Sequence, residues 1–409
     1  MNLLLKLGWR NIWRNRRRSI ITISAVIFAV MLSIAMRGIQ LGTYEVNIRH
    51  VVELFSGYIQ IQAEGYQKNP SLQKSFPITD SLRALLAADS RIIAFAPRIV
   101  GDGLVSFRDN SQGTAILGIE PEQERRVSTL ATRVVSGHFL NSGDAHEIVV
   151  GYKLLENLKA KLGDEVVVLS QGFDGSLGNL KFTIVGTIKT GTELLDRNAV
   201  FTTLDAAQEL LVLYGRVSLL ALRLADLTDI PDVQKPLNEA LHSQKLVVLS
   251  WNEVMPDLEQ SIKLDNVSGI LMLGILVVVV GFGITNTVLM SVTERFREFG
   301  IVLSIGMQQQ RLAMLVMIET LIIVLIGLLA GNILAYGINS YIAGHPIEFT
   351  GEYADIYAEY GWLPRIESTV RFSSFLNTTL SMLGISILAA VYPILRVVRL
   401  EPLKGIRHT

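Results

Sequence analysis

The chain has no cysteine among its 409 residues, which excludes disulfides, iron–sulfur clusters, thiolate zinc sites and thiol nucleophiles. Charge is sparse: only 18% of residues are charged and half are hydrophobic, too apolar a balance for a soluble chain of this length. Net charge is zero, so no global field favours nucleic acid as a partner. No glycine is followed by lysine, which removes the phosphate loop of an ATPase. There is no Gly-x-Ser-x-Gly elbow and no His-Glu-x-x-His zinc helix. His138 and His146 lie near Asp144 and Glu147, a pattern of solvated loop polarity rather than of a metal site. No catalytic, cofactor-binding or metal-ligating residue is expected on this chain.

What the chain does have is long apolar sequence. Val267–Val292 is free of charge over 26 residues, or about 39 Å of helix, against a hydrocarbon core of about 30 Å. Phe372–Leu395 has 24 such residues, and a run from Leu312 to about Ala343 is interrupted only by Glu319. Ile20–Met36 is shorter, at 17 residues, and is preceded by arginines as a signal peptide would be, with Ser33-Ile34-Ala35 as a cleavage site. The apolar pattern nevertheless continues past Arg37 through Leu41, Val46, Val51, Val52 and Leu54, as in a retained helix that projects beyond the bilayer. The expected fold is therefore an α-helical membrane protein with four transmembrane helices, at 19–41, 267–292, 312–343 and 372–395.

Basic residues set the expected orientation. Lys6, Arg10, Arg14, Arg16, Arg17 and Arg18 crowd the N-terminal tail, which has no acid; Arg396, Arg399, Lys404 and Arg407 face only Glu401 in the C-terminal tail. The 344–371 loop is acidic. Both termini are thus expected in the cytoplasm, with 42–265 and 344–371 outside. Residues 1–18 place Leu5, Trp9, Ile12 and Trp13 near one face, predicting an interfacial helix with tryptophans at headgroup level.

The 42–265 segment reads as a folded α+β domain between the first and second spans. "GYIQIQ" alternates as a strand, "SLRALLAAD" has helical spacing, and "HEIVVGYKLLENLKAKLGDEVVVLS" gives strand, helix, turn and strand. Two lobes are expected, one from both ends of the segment and one inserted at about 131–215.

Between the second and third spans, residues 291–311 leave the bilayer and return at once. Glu294, Arg295, Arg297 and Glu298 are packed together there, and Phe296, Phe299, Leu303 and Gly306 fall on one helical stripe. Such a helix can seat its face in a partner's groove. Equally, the charges can do no more than end a span.

The run "NTVLMSVTERFREFGIVLSIGM", from the intramembrane Asn286 through Gly300 to Met307, resembles the FtsX-like permease domain of MacB-type ABC transporters. So do "IETLIIVLIGLLAG" around Glu319 and the closing "YPILRVVRLEPLKGIR". In the outside domain, "KLGDEVVVL" and "TGTELLDRNAVFTTLDAAQELL" are most similar to the lipoprotein-release permeases. The resemblance implies a MacB-like periplasmic core domain at 42–265, an FtsX-like domain at 266–409, and an inner-membrane location. It implies a non-catalytic permease paired with a second copy or a paralogue, set among membrane lipids. ATP and Mg would be bound by separate cytoplasmic ATPase subunits, and 291–311 would couple to them. A lipoprotein substrate or a periplasmic adaptor would complete the partners. Export of a small molecule or peptide, or a scaffold activating a periplasmic hydrolase, are the alternatives. For Glu319, the resemblance favours a structural pair with the coupling region over a proton relay.

Overall fold

The computed structural model describes residues 2–143, 146–359 and 362–398. In chain order, α1 (Asn2–Arg14) and α2 (Arg16–Val51) lead into a π-helical turn, Val52–Ser56. Then come β1 (Ile59–Ala63), β2 (Phe76–Pro77), α3 (Asp80–Ala88), β3 (Ile92–Phe107), β4 (Asn110–Ile119) and α4 (Pro121–Val127). They are followed by β5 (Val134–Gly137), β6 (Glu147–Gly151), α5 (Tyr152–Leu158), β7 (Glu165–Gln171), β8 (Leu177–Ile188) and α6 (Glu193–Asn198). Next are β9 (Ala199–Thr203), α7 (Leu204–Leu211), β10 (Arg216–Val217), β11 (Leu219–Leu224), α8 (Ile230–Leu241), β12 (Leu246–Ser250) and α9 (Trp251–Val254). The chain then forms α10 (Pro256–Glu294), α11 (Phe296–Ser304), α12 (Gln309–Gly344), β13 (Ile347–Glu348), α13 (Glu352–Glu359), β14 (Arg365–Ile366) and α14 (Phe372–Val398).

These elements fall into two compact units: residues 1–45, 262–348 and 365–409, and residues 46–261 with 349–364. In the first, α2, α10, α12 and α14 are long and apolar enough to cross a membrane. Its core joins Val26, Val30 and Ile34 of α2 to Val288 and Val292 of α10, Val316 and Leu328 of α12, and Met382 of α14. Polar side chains bond within this apolar setting. Asn332 and Thr379 exchange hydrogen bonds between α12 and α14, and Thr285 donates to the Ala389 carbonyl at 3.0 Å. Unpaired groups would be costly there, since no water replaces the partner. At the opposite end from α11, Arg37 donates to Asn266 at 2.7 Å, Gln40 bonds Asp265, and Arg371 pairs with Glu45.

The second unit carries a ten-stranded sheet. At one end β12, β1, β11 and the start of β3 pair antiparallel, backed by α3 and α8, and share one core drawn from both ends of the segment. Farther on, the strands close on themselves. β3 pairs β4, β4 pairs β9, β9 pairs β6, β6 pairs β8, β8 pairs β7, and β7 returns to β3. The 16-residue β3 therefore belongs to both regions, and the region around 131–215 borrows β3 and β4 to complete its ring. The π turn is held in this unit by a fully buried pair. Arg98 and Glu124 are both 0% exposed and bidentate at 2.7 and 2.9 Å, and Arg98 also donates to the Phe55 carbonyl. The Thr129 amide donates to the Glu53 carbonyl at 2.7 Å, so carbonyls that a helix end leaves unsatisfied are filled.

Candidate functional site

The segment between α10 and α12 is built by two local breaks. Arg295, at φ −105° and ψ 12°, interrupts the helix after Glu294, and α11 then runs nine residues. Gly306 adopts φ +102°, a left-handed conformation that costs glycine little, and Gln308 is extended before α12 begins. A short helix thus sits between two membrane-length ones.

Its apolar stripe points inward. Phe299 is 2% exposed and Leu303 9%; both lie in the same core as Val292, Leu312, Val316 and Val397, with Phe296 and Met307 packed against it. Gly300 is buried as well, whereas Gly306 is exposed and ends the helix rather than extending the stripe. Of the three side chains expected to meet a partner, Phe299 and Leu303 are buried within this chain and Phe296 is half-buried. The ends of α10, α12 and α14 are the nearest apolar surface, and burying a side chain of this size stabilises by about 1.5–3 kcal/mol. The chain therefore covers the stripe itself.

The opposite face is the accessible one. Arg297, Ile301, Ser304 and Ile305 fall along it at helical spacing, with Glu298 beside Arg297. Ile301 is 46% exposed and Ile305 82%, so two bare isoleucines stand next to a charged pair. The sequence reading passed over them; the signal was two isoleucines four apart, offset from the phenylalanine stripe.

Charged side chains tie this segment to the N-terminal helices, which sequence spacing did not reveal. Arg14 of α1 bonds both carboxylate oxygens of Glu298 at 2.6 Å, and Arg18 of α2 pairs with Glu294 at 2.7 Å. Arg295 reaches Glu319 of α12 at 3.1 Å and Glu298 at 3.2 Å, with its guanidinium 5.0 Å above the Phe299 ring. Asn11 of α1 donates to Glu319 at 2.5 Å. Of these groups, Glu298 has its carboxyl held below the usual range, first by the Arg14 hydrogen bond and then by Arg295. Asn286 lies apart on the exposed side of α10, with no hydrogen-bond partner among the described residues. In the other unit, His146 bonds Glu209 at 3.0 Å and His138 faces the Phe139 carbonyl; Asp144 lies outside the described residues. Among the described residues no three His, Asp or Glu side chains converge as metal ligands.

Four membrane-length helices, an α+β domain after the first of them, and a short charged helix between the second and third are the architecture of a polytopic membrane protein with one large domain outside the spans. The FtsX-like permease C-terminal domain matches residues 270–402 and the MacB-like periplasmic core domain matches residues 19–240. The chain belongs to this FtsX/MacB family of ABC-transporter permeases. It is similar to the lipoprotein-releasing system transmembrane protein LolC of Neisseria meningitidis serogroup B, 25% identical over 405 residues that cover 93% of this chain and 94% of that one. It is also similar to the macrolide export ATP-binding/permease protein MacB of Bdellovibrio bacteriovorus, 22% identical and covering 98% of this chain but 61% of that one. The crystal structure of the periplasmic region of MacB from Actinobacillus actinomycetemcomitans aligns over 51% of this chain and 95% of that one, at 13% identity and a TM-score of 0.37. The membrane-length helices and the periplasmic-type domain fit an inner-membrane protein.

Proposed function

We propose that the chain is the membrane subunit of a lipoprotein-releasing ABC transporter, acting as a pair with a second copy or a paralogue. ATP and Mg bind separate cytoplasmic ATPase chains. These dock on the outer face of α11, where Ile301 and Ile305 are the apolar anchors and Arg297 and Glu298 the rim. The observation that carries this reading is the division of α11 into a face sealed within its own chain and a face of bare isoleucines beside charge. A few buried apolar anchors supply most of the energy of such an interface, while rim charges set orientation and on-rate. The inner seal and the pairs to Arg14, Arg18 and Glu319 make α11 a rigid part of the membrane unit, so a push on it moves the spans. The lipoprotein assignment is supported by the LolC similarity, which runs nearly end to end in both chains, whereas much of the MacB relative lies outside the match.

Affinity purification of the chain from its native membranes should bring down an ATP-binding subunit. Ile301→Glu with Ile305→Glu should lose it while the chain still inserts and its periplasmic-type domain stays folded. Full ATPase binding by that double variant would sink the docking face. Depletion of the chain should leave lipoproteins in the inner membrane; if they sort normally while a small molecule or peptide accumulates in the cell, the exporter reading replaces this one. A cell-wall hydrolase as the main copurifying chain would point to the scaffold instead.

A further inference from the structure

The N-terminal cations divide into two groups. Arg14 and Arg18 are committed to Glu298 and Glu294. Lys6, Arg10, Arg16 and Arg17 are exposed, and none forms an ion pair with a described residue. The first acidic residue of the chain is Glu45, so nothing nearby in sequence neutralises them. α1 divides in the same way. Gly8 and Ile12 are buried, and a Cβ at Gly8 would stand 3.2 Å from Ile318 of α12. Leu5, Trp9 and Trp13, by contrast, are 44%, 50% and 45% exposed, and the two indoles meet edge to face at 5.9 Å.

We propose that α1 and the exposed Arg16–Arg17 start of α2 form a binding surface for anionic phospholipid. Indole rings settle where headgroups meet acyl chains, which accounts for the uncovered tryptophans. A zwitterionic surface would satisfy the indoles but leave four cations uncompensated, whereas an anionic headgroup supplies both the apolar bed and the charge. Arg16 and Arg17, exposed at the start of α2, can each meet a phosphate group through two parallel hydrogen bonds. The same short stretch thus holds lipid on one side and, through Arg14 and Arg18, the α11 segment on the other. Lipid binding here needs no partner chain, so it can stand or fall apart from the ATPase-docking reading.

The test uses the full chain in nanodiscs, with tryptophan fluorescence quenched by brominated phosphatidylcholine or brominated phosphatidylglycerol at equal mole fraction. Trp9→Phe with Trp13→Phe measures the background from Trp251 and Trp362. We expect quenching of Trp9 and Trp13 to be about threefold stronger with the anionic lipid, an enrichment set by attraction of the cations to the headgroups. High salt should erase the preference in the unaltered protein, because exposed charges are screened. Lys6→Gln, Arg10→Gln, Arg16→Gln and Arg17→Gln together should erase it at low salt. Equal quenching by the two lipids overturns the anionic selectivity. Quenching by neither means that this face meets water or a protein, and overturns the lipid surface altogether.

Discussion

Glu319 is 9% exposed within α12, with Arg295 on one side and Asn11 on the other. A carboxylate so placed is tolerable only while its partner is charged and in contact, because a stranded buried charge costs more than the pair ever contributes. Arg295→Met should therefore lower stability by about 3 kcal/mol. Arg295→Met combined with Glu319→Leu should recover most of that loss. Thermal melts of the detergent-solubilised chain decide this; strictly additive effects would mean that the two side chains do not act as a pair. Glu298 behaves differently because it is more exposed. Its folded carboxyl is depressed, so the tie to Arg14 contributes at every pH above the unfolded value and is lost only as pH falls through the folded one. The tie should thus persist through neutrality and loosen only in acid, below the range in which a free glutamate protonates. Glu298→Gln should mimic acidification at neutral pH, read as faster proteolysis at the N-terminal helix. The sequence marks these charges but not their pairing, since Asn11 and Glu319 are 308 residues apart and no local pattern links them. It marks the Phe299 stripe as well. Helical spacing says that a face must be covered and is silent on whether the chain or a partner covers it.

At the scale of elements, α2 and α12 approach closely because α12 offers glycines. A Cβ on Gly327 would come within 2.6 Å of Val26, and one on Gly331 within 2.8 Å of Val30. Small residues let membrane helices gain packing contacts without a hydrophobic driving force. Gly331→Leu should force the pair apart and cost about 1–3 kcal/mol, while Gly337→Ala, with nothing within 4 Å, should be nearly silent. Equal melting temperatures for the two variants would overturn this account. Helix positions were legible in the sequence because charge-free runs of this length have few other uses in a folded protein. The sequence pattern of a helix running from Asn252 into the second span matches Pro256–Glu294, which passes through Asp257, Glu259, Lys263 and Asp265 before the apolar run; the break at Met255, which sets α9 apart from it, was not legible. The closed circuit of strands was equally hidden. Alternation predicts a strand, but the parallel pairing of β4 with β9 joins residues more than 80 apart, and period-two patterning carries no record of the neighbour.

For the whole molecule, the missing cysteines become an advantage, since any single cysteine introduced is the only reactive thiol. If the positive-inside pattern sets the topology, Asp174→Cys and Tyr353→Cys should react with an impermeant maleimide added outside the inner membrane. Asn15→Cys and Gln310→Cys should react only after permeabilisation. Outside labelling at 310 would place α11 on the wrong side for any ATPase.

The ring of β3, β4, β9, β6, β8 and β7 also has a mechanical meaning. A ladder with free edges unzips from its weakest rim, one strand at a time, and edge strands are where sheets come apart or pair wrongly. A hoop has no such rim. Tension entering through any one of its strands divides and travels both ways round, so no single seam has to carry it all. Yielding is displaced to the two end strands of the sheet, β12 and β5, which lie outside the circuit and are each held along one side only. A domain that is tugged repeatedly would then flex at those margins and keep its centre in register.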